Sequence, residues 1–327
     1  MTAVPSDERC SVRSERVLEP VHATAPLARA WLVLEQSGPY GREALLSSGL
    51  PDAVGAALTT ASEGTRTKVL LARPVGRAVP EPLPDTGRRF WFAHCAPGGV
   101  RMRTGIVDDD VLLRPDLPAV LDAAARGELP PWGARTDEPL MLVCTNAKRD
   151  QCCALVGRPL AEALDSGPFS GRVLESQHLG GHRFAPTALL LPSGHVFGRL
   201  DAPTAESVLS EALQGRLAGL DHLRGRSAAA APAQAAAIAV RRAEGVHGLD
   251  DIDVLRRVGE HAVPVPLEWD GDGGAAELEV RHVDGRAWHV PVRRTEDAPQ
   301  RPESCGKPAL PVVSWLASTP VPAPRWD

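Results

Sequence analysis

"LMLVCTNAKRDQCCALVGRPLAEAL", residues 140–164, opens as a near-continuous apolar run and closes as a helix. The run LMLVCTN (140–146) reads as a strand, and Cys153 to Leu164 as the helix that follows it. Downstream, RVLES (172–176), TALLLPSG (187–194) and HVFGRL (195–200) read as strands. TAESVLSEALQG (204–215) reads as a closing helix.

Strand, helix, strand, strand pair and helix is the order of a thioredoxin-like domain, which we assign to residues 136–222. Upstream, AWLVLEQ (30–36), KVLLARPV (68–75), RRFWFAHCA (88–96) and VRMRTGIV (100–107) are strand-like. REALLSSG (42–49) and DLPAVLDAAARG (116–127) are expected helices, and GRAVPEPLPDTG (76–87) a Pro-rich loop. Residues 1–135 are thus an α/β half, compatible with a thioredoxin-like unit of its own, joined through the Pro- and Gly-bearing stretch 130–139. The fold class is α/β (α+β). No internal repeat is visible as sequence identity. Residues 223–327 form a small C-terminal appendage: an Ala-rich helix over 227–245, a hairpin over 276–294 turning at Asp284-Gly285, and a disordered tail, STPVPAPRWD.

The 327 residues carry a net charge of −5 with both signs interspersed, which leaves no basic stripe for nucleic acid. The N-terminal stretch has no signal-peptide core, and no apolar run is long enough for a membrane span, so a cytoplasmic protein is expected. Six cysteines spread along the chain read as reduced thiols or metal ligands rather than a disulfide scaffold.

ESQHLGGHRF (175–184) sets His178 and His182 around Gly180 and Gly181. Two adjacent glycines oppose a helix and favour a loop wrapped closely around something small. Together with Cys144 and Cys153 the pattern is C-x8-C-x24-H-x3-H. Thiolates and neutral imidazoles are ligands of zinc and of iron–sulfur centres. Eight residues between the cysteines are too many for a tight zinc knuckle, whereas two separated ligand pairs suit the two irons of a 2Fe-2S cluster. Cys10, Cys95 and Cys305 match no ligand spacing and are expected to be ordinary thiols, although PESCGKP (302–308) has neighbours that would lower a thiol pKa. His195 is expected to be structural, and Arg183 either a surface cation or a tuner of the site's charge. SGPYG (37–41) reads as a plain strand-to-helix turn, and neither a dinucleotide fingerprint nor a P-loop is present.

CTNAKRDQCCALVGRPL (144–160) and SQHLGGHRFAPTALLLPSGHVFGRLD (176–201) closely resemble the sucrase/ferredoxin-like proteins, a branch of the thioredoxin-like 2Fe-2S ferredoxins. AWLVLEQSGPYGREAL (30–45) is similar to that family's N-terminal half. The resemblance implies that Cys144 and Cys153 hold one iron and His178 and His182 the other, a Rieske-like set. Its Arg-Asp-x-x-Cys register selects Cys153 over Cys152 and leaves Cys152 a buried or neighbouring thiol. It also implies an electron carrier served by a separate redox partner protein. A thiol–disulfide oxidoreductase using Cys152 and Cys153, and a zinc-stabilised binding module, are the rival readings. No facing carboxylate pair supports glycoside hydrolysis.

Overall fold

The computed structural model describes residues 4–76, 87–99, 101–259 and 261–326, and most of the Pro-rich stretch 76–87 lies outside them. A short helix α1 (Cys10–Arg16) comes first. The N-terminal half then runs β1 (Ala30–Glu35), α2 (Asp52–Ser62), β2 (Thr67–Pro74), β3 (Gly87–His94), β4 (Arg101–Asp108), α3 (Asp109–Leu112), α4 (Leu117–Ala125) and β5 (Ala134–Thr136). The second half runs β6 (Leu140–Cys144), α5 (Gln151–Asp165), β7 (Val173–Ser176), β8 (Thr187–Leu191), β9 (His195–Gly198), α6 (Ala202–Ala212) and β10 (Leu223–Arg226). The C-terminal region holds α7 (Ala231–Glu244), β11 (Ile252–Val258), β12 (His261–Pro264), β13 (Ala275–His282), β14 (Ala287–Pro302), β15 (Ala309–Ala317) and β16 (Val321–Ala323).

β1 to β10 form one sheet in the order β10-β9-β8-β6-β7-β2-β1-β3-β4-β5. Within it one connectivity is written twice. In each half two parallel strands flank a crossover helix (β1 and β2, β6 and β7), the first pairs antiparallel with a hairpin (β3–β4, β8–β9), and a last strand joins the hairpin's far side. The halves meet where β2 pairs antiparallel with β7, Ala72 opposite Ser176. The last strand of the second half, β10, lies at residues 223–226, just past the boundary expected at 222.

β1 and β6 are buried along their whole length, the reason they read as unbroken apolar runs. Their residues alternate between faces. Trp31, Val33, Leu142 and Cys144 share a core on one side of the sheet. On the other, Leu32 and Leu34 pack among the residues of α2 and α4, and Met141 and Val143 among those of α5 and α6.

Three expectations need correction. Residues 42–49 form turns, and the helix begins only at Asp52, behind Pro51. Ser47 bonds back to the Glu43 carbonyl through both its amide and its hydroxyl, and Leu46 is left 55% exposed while Ala44 and Leu45 pack on the core, so the apolar residues here are adjacent rather than spaced for one helix face. Val54, Leu58 and Ala61, spaced for one helix face, do bury. The C-terminal region is larger than a helix and a hairpin. Its expected hairpin is β13–β14, but these strands belong to a six-stranded antiparallel sheet that packs on α7 through Ala236, Val240, Leu278, Val280 and Trp288. The tail is ordered: β16 pairs with β14, and the Trp326 indole donates to the His282 carbonyl at 3.1 Å. Among the described residues no helix is long and apolar enough to cross a membrane.

Candidate metal centre

Cys144 is the last residue of β6, level with Ser176 at the end of β7. Only six residues separate it from α5, whose N-cap is Asp150, accepting the Cys152 amide at 2.9 Å. Cys153 therefore stands in the first turn of α5, beside the strand end. Gly157 keeps the helix close, since a Cβ there would lie 2.2 Å from the Cys144 carbonyl oxygen. The loop leaving β7 brings His178 over both cysteines and sets His182 behind it.

His178 Nδ1 lies 3.9 Å from Cys144 Sγ and 3.9 Å from Cys153 Sγ, and these three atoms all lie within 4.8 Å of one another. His182 stands behind His178, its Nδ1 3.4 Å from His178 Nε2. His182 Nε2 is buried without a hydrogen-bond partner, 3.7 Å from Asp150 Oδ2. The four residues singled out by spacing thus converge, three closely and His182 at one remove. Cys152 turns the other way, its sulfur 3.6 Å from Cys10 and 3.4 Å from Cys305.

Charge at this pocket is tilted toward ligation. The Cys153 thiol donates to Cys144 and holds it well below the ordinary thiol range against burial, with His178 adding to the effect. Cys153 keeps the shared proton and is pushed well up. Burial moves His182 down, toward the neutral imidazole a metal needs, with Asp150 pulling the other way. Thiolate and neutral imidazole donors in one water-poor pocket fit a soft metal ion or an iron–sulfur core.

The glycines have a partner that sequence reasoning missed. Arg224, fully buried on β10, donates to the Gly180 carbonyl at 2.8 Å and to Thr24 Oγ1 at 3.0 Å. Gly180 and Gly181 have φ of 85° and 72°, a region that disfavours side chains, and a Cβ at Gly181 would sit 2.5 Å from the guanidinium. Burial lowers Arg224 to about 9, which still leaves a cation at neutral pH near the Cys144 thiolate. No local pattern announces it, because β10 reaches the loop only through the sheet. Arg183 is neither free nor aimed at the cysteines: its Nε donates to Glu19 at 2.8 Å. His195 is buried, with Nδ1 2.9 Å from Ser193 Oγ. Burial raises Cys95 to about 12, an inert thiol.

A family model described as sucrase/ferredoxin-like matches residues 50–225. No curated protein and no solved structure matches the chain.

Proposed function

Because the chain belongs to the sucrase/ferredoxin-like family, we propose that it is an electron carrier holding one 2Fe-2S cluster on Cys144, Cys153, His178 and His182. One observation carries this reading: two buried thiols from a strand end and a helix start meet the His178 imidazole, with His182 of the same loop next to that ring. Such a cluster, when bound, takes up and returns a single electron, at a higher potential than an all-cysteine one. The chain's own residues supply the rest. β6 and α5 hold the two thiols on rigid elements, Cys144 fully buried and Cys153 nearly so, which excludes water. Arg224 offsets thiolate charge and pins the glycine loop. His178 and His182 are only partly buried, so electrons reach a partner protein most directly across the imidazole side.

The same pocket supports a second reading, since Cys144, Cys153 and His178 are compact enough to hold a zinc ion. A thiol–disulfide exchange role is disfavoured by Cys152 and Cys153 facing different neighbours. The deciding experiment is iron and acid-labile sulfide analysis, with a visible spectrum, of anaerobically purified full-length protein. A reddish-brown protein with about two irons and two sulfides per chain supports the cluster. A colourless protein with zinc in this pocket overturns it.

A further inference from the structure

We propose that Cys10, Cys152, Cys305 and Asp150 form a second metal site, a mononuclear zinc-type centre that uses other cysteines than the first and adjoins it where Asp150 Oδ2 lies 3.7 Å from His182 Nε2. The four come from distant parts of the chain: α1, the start of α5, and the segment between β14 and β15. All four are buried, and one ligand atom from each lies within 4.8 Å of the others. Cys10 and Cys305 fall outside the region the family model matches, and Cys152 is the cysteine the first site leaves over.

The spacing of the sulfurs suits one ion. The Sγ–Sγ separations are 3.6 Å (Cys10–Cys152), 3.4 Å (Cys152–Cys305) and 3.7 Å (Cys10–Cys305), and Cys10 Sγ lies 3.7 Å from both oxygens of Asp150. Tetrahedral zinc with Zn–S near 2.3 Å and Zn–O near 2.0 Å sets its sulfurs about 3.8 Å apart and sulfur and oxygen about 3.5 Å apart. Cysteines on different irons of a cluster stand further apart, because the iron–sulfide core lies between them. A disulfide uses two sulfurs and always strands the third.

The surroundings are arranged for thiolates. The Cys10 amide donates to Cys305 Sγ at 3.5 Å and the Ser11 hydroxyl to Cys152 Sγ at 3.3 Å. Cys152 also sits in the first turn of α5, where the helix favours negative charge. Asp150 is rigidly held: Oδ1 accepts the Cys152 amide, while Oδ2 accepts the Cys305 amide at 2.8 Å and the Ser304 hydroxyl at 3.0 Å. Besides these three donors the Cys10 thiol donates to the carboxylate, and loss of that proton on metal binding frees a lone pair on Oδ1 for the ion. As the dication enters, the thiols still protonated release their protons to solvent and bind as thiolates. The centre would clip the N-terminal helix and the C-terminal sheet to the start of α5.

Metal analysis of the purified full-length protein tests this independently of the cluster. We expect about one zinc per chain, lost in Cys10→Ser and in Cys305→Ser while iron and the visible chromophore persist, and kept in Cys144→Ser. Zinc that leaves with Cys144→Ser and stays in Cys305→Ser overturns the proposal. So do zinc-free wild-type protein with three freely alkylated thiols and a disulfide joining any two of them. Should the serine variants not fold, zinc-edge X-ray absorption of the wild type decides: three sulfurs and one oxygen support the site, and two sulfurs with two nitrogens overturn it.

Discussion

The two halves of the ten-stranded sheet share one connectivity, yet among the described residues only the second brings cysteines and histidines together in a metal-type cluster. Glu35 ends β1, opposite Ala72, where the second half has Cys144 ending β6 opposite Ser176. Val54 is the third residue of α2, where α5 has Cys153. Residues 36–51 separate β1 from α2, whereas only 145–150 separate β6 from α5. The short link sets a helix start against a strand end, so two donors can meet; the long one inserts turns. Glu35 instead lies 3.4 Å from Arg89 across the sheet, and Val54 packs in a core. The frame is common to both halves, and the chemistry resides in a few side chains and one loop length.

The sharpest way to break this contrast is to remove the donors one at a time. Cys153→Ser should abolish most of the bound iron, read by metal analysis and visible absorbance, whereas Cys152→Ser should leave most of it. The reverse result would move the site to the other face of α5. Next, exchanging both His178 and His182 for cysteine should retain a cluster and lower its midpoint by on the order of a few hundred millivolts, because two thiolates add negative charge that favours the oxidised state. Redox titration of the wild type and the double variant checks this, and an unchanged midpoint in a cluster-bearing variant would remove the histidines from the ligand set.

A smaller effect concerns how the histidine loop is tied down. Glu19 is buried and accepts from Arg301 at 2.6 Å, Arg183 at 2.8 Å and Ser14 at 2.7 Å. Burial alone would raise its carboxyl, but Arg301, Arg183 and Ser14 together bring it below the ordinary range. Glu19→Gln leaves the buried Arg301 guanidinium with only the exposed Glu303 carboxylate, 3.9 Å away, and should cost about 3–5 kcal/mol in denaturant unfolding. A lowered folded-state pKa means that this stabilisation is complete above the unfolded carboxyl value of about 4.3 and is lost as pH falls through the folded value. Wild-type stability should therefore drop more steeply than that of Glu19→Gln in that acidic window.

The smallest expected effects separate the two loop glycines. Gly180→Ala meets open space and should cost only about 1 kcal/mol, from its left-handed backbone. Gly181→Ala has the same backbone strain plus the Arg224 collision, so it should destabilise more and lower iron occupancy, measured by thermal unfolding and iron content. Equal behaviour of the two variants would show that Arg224 yields readily and does not hold the loop.

Local pattern carried the reading furthest in the second half. Its strands before β10 read as short, mostly apolar runs, its links are brief, and Cys144, Cys153, His178 and His182 sit at a strand end, a helix start and a glycine loop that the sequence alone marks out; β10, LRGR, has no such pattern. The helix at 52–62 was equally readable from Val54, Leu58 and Ala61, but the charged and apolar mixture of 42–49 drew the assignment away from it. The duplicated connectivity left no sequence identity to find, because a sheet constrains the pattern of burial and not the identity of each residue.

By itself, then, the chain's sequence determined the α/β order, the apolar strands and the spacing of four metal-type donors, since these depend on neighbours along the chain. Tertiary structure alone decided that β2 and β7 join two like halves, that Arg224 underlies Gly180 and Gly181, and that Cys10 and Cys305 converge on Cys152 and Asp150. Those partners are brought together by the burial of apolar surface between distant segments, and no local periodicity records which segments will meet.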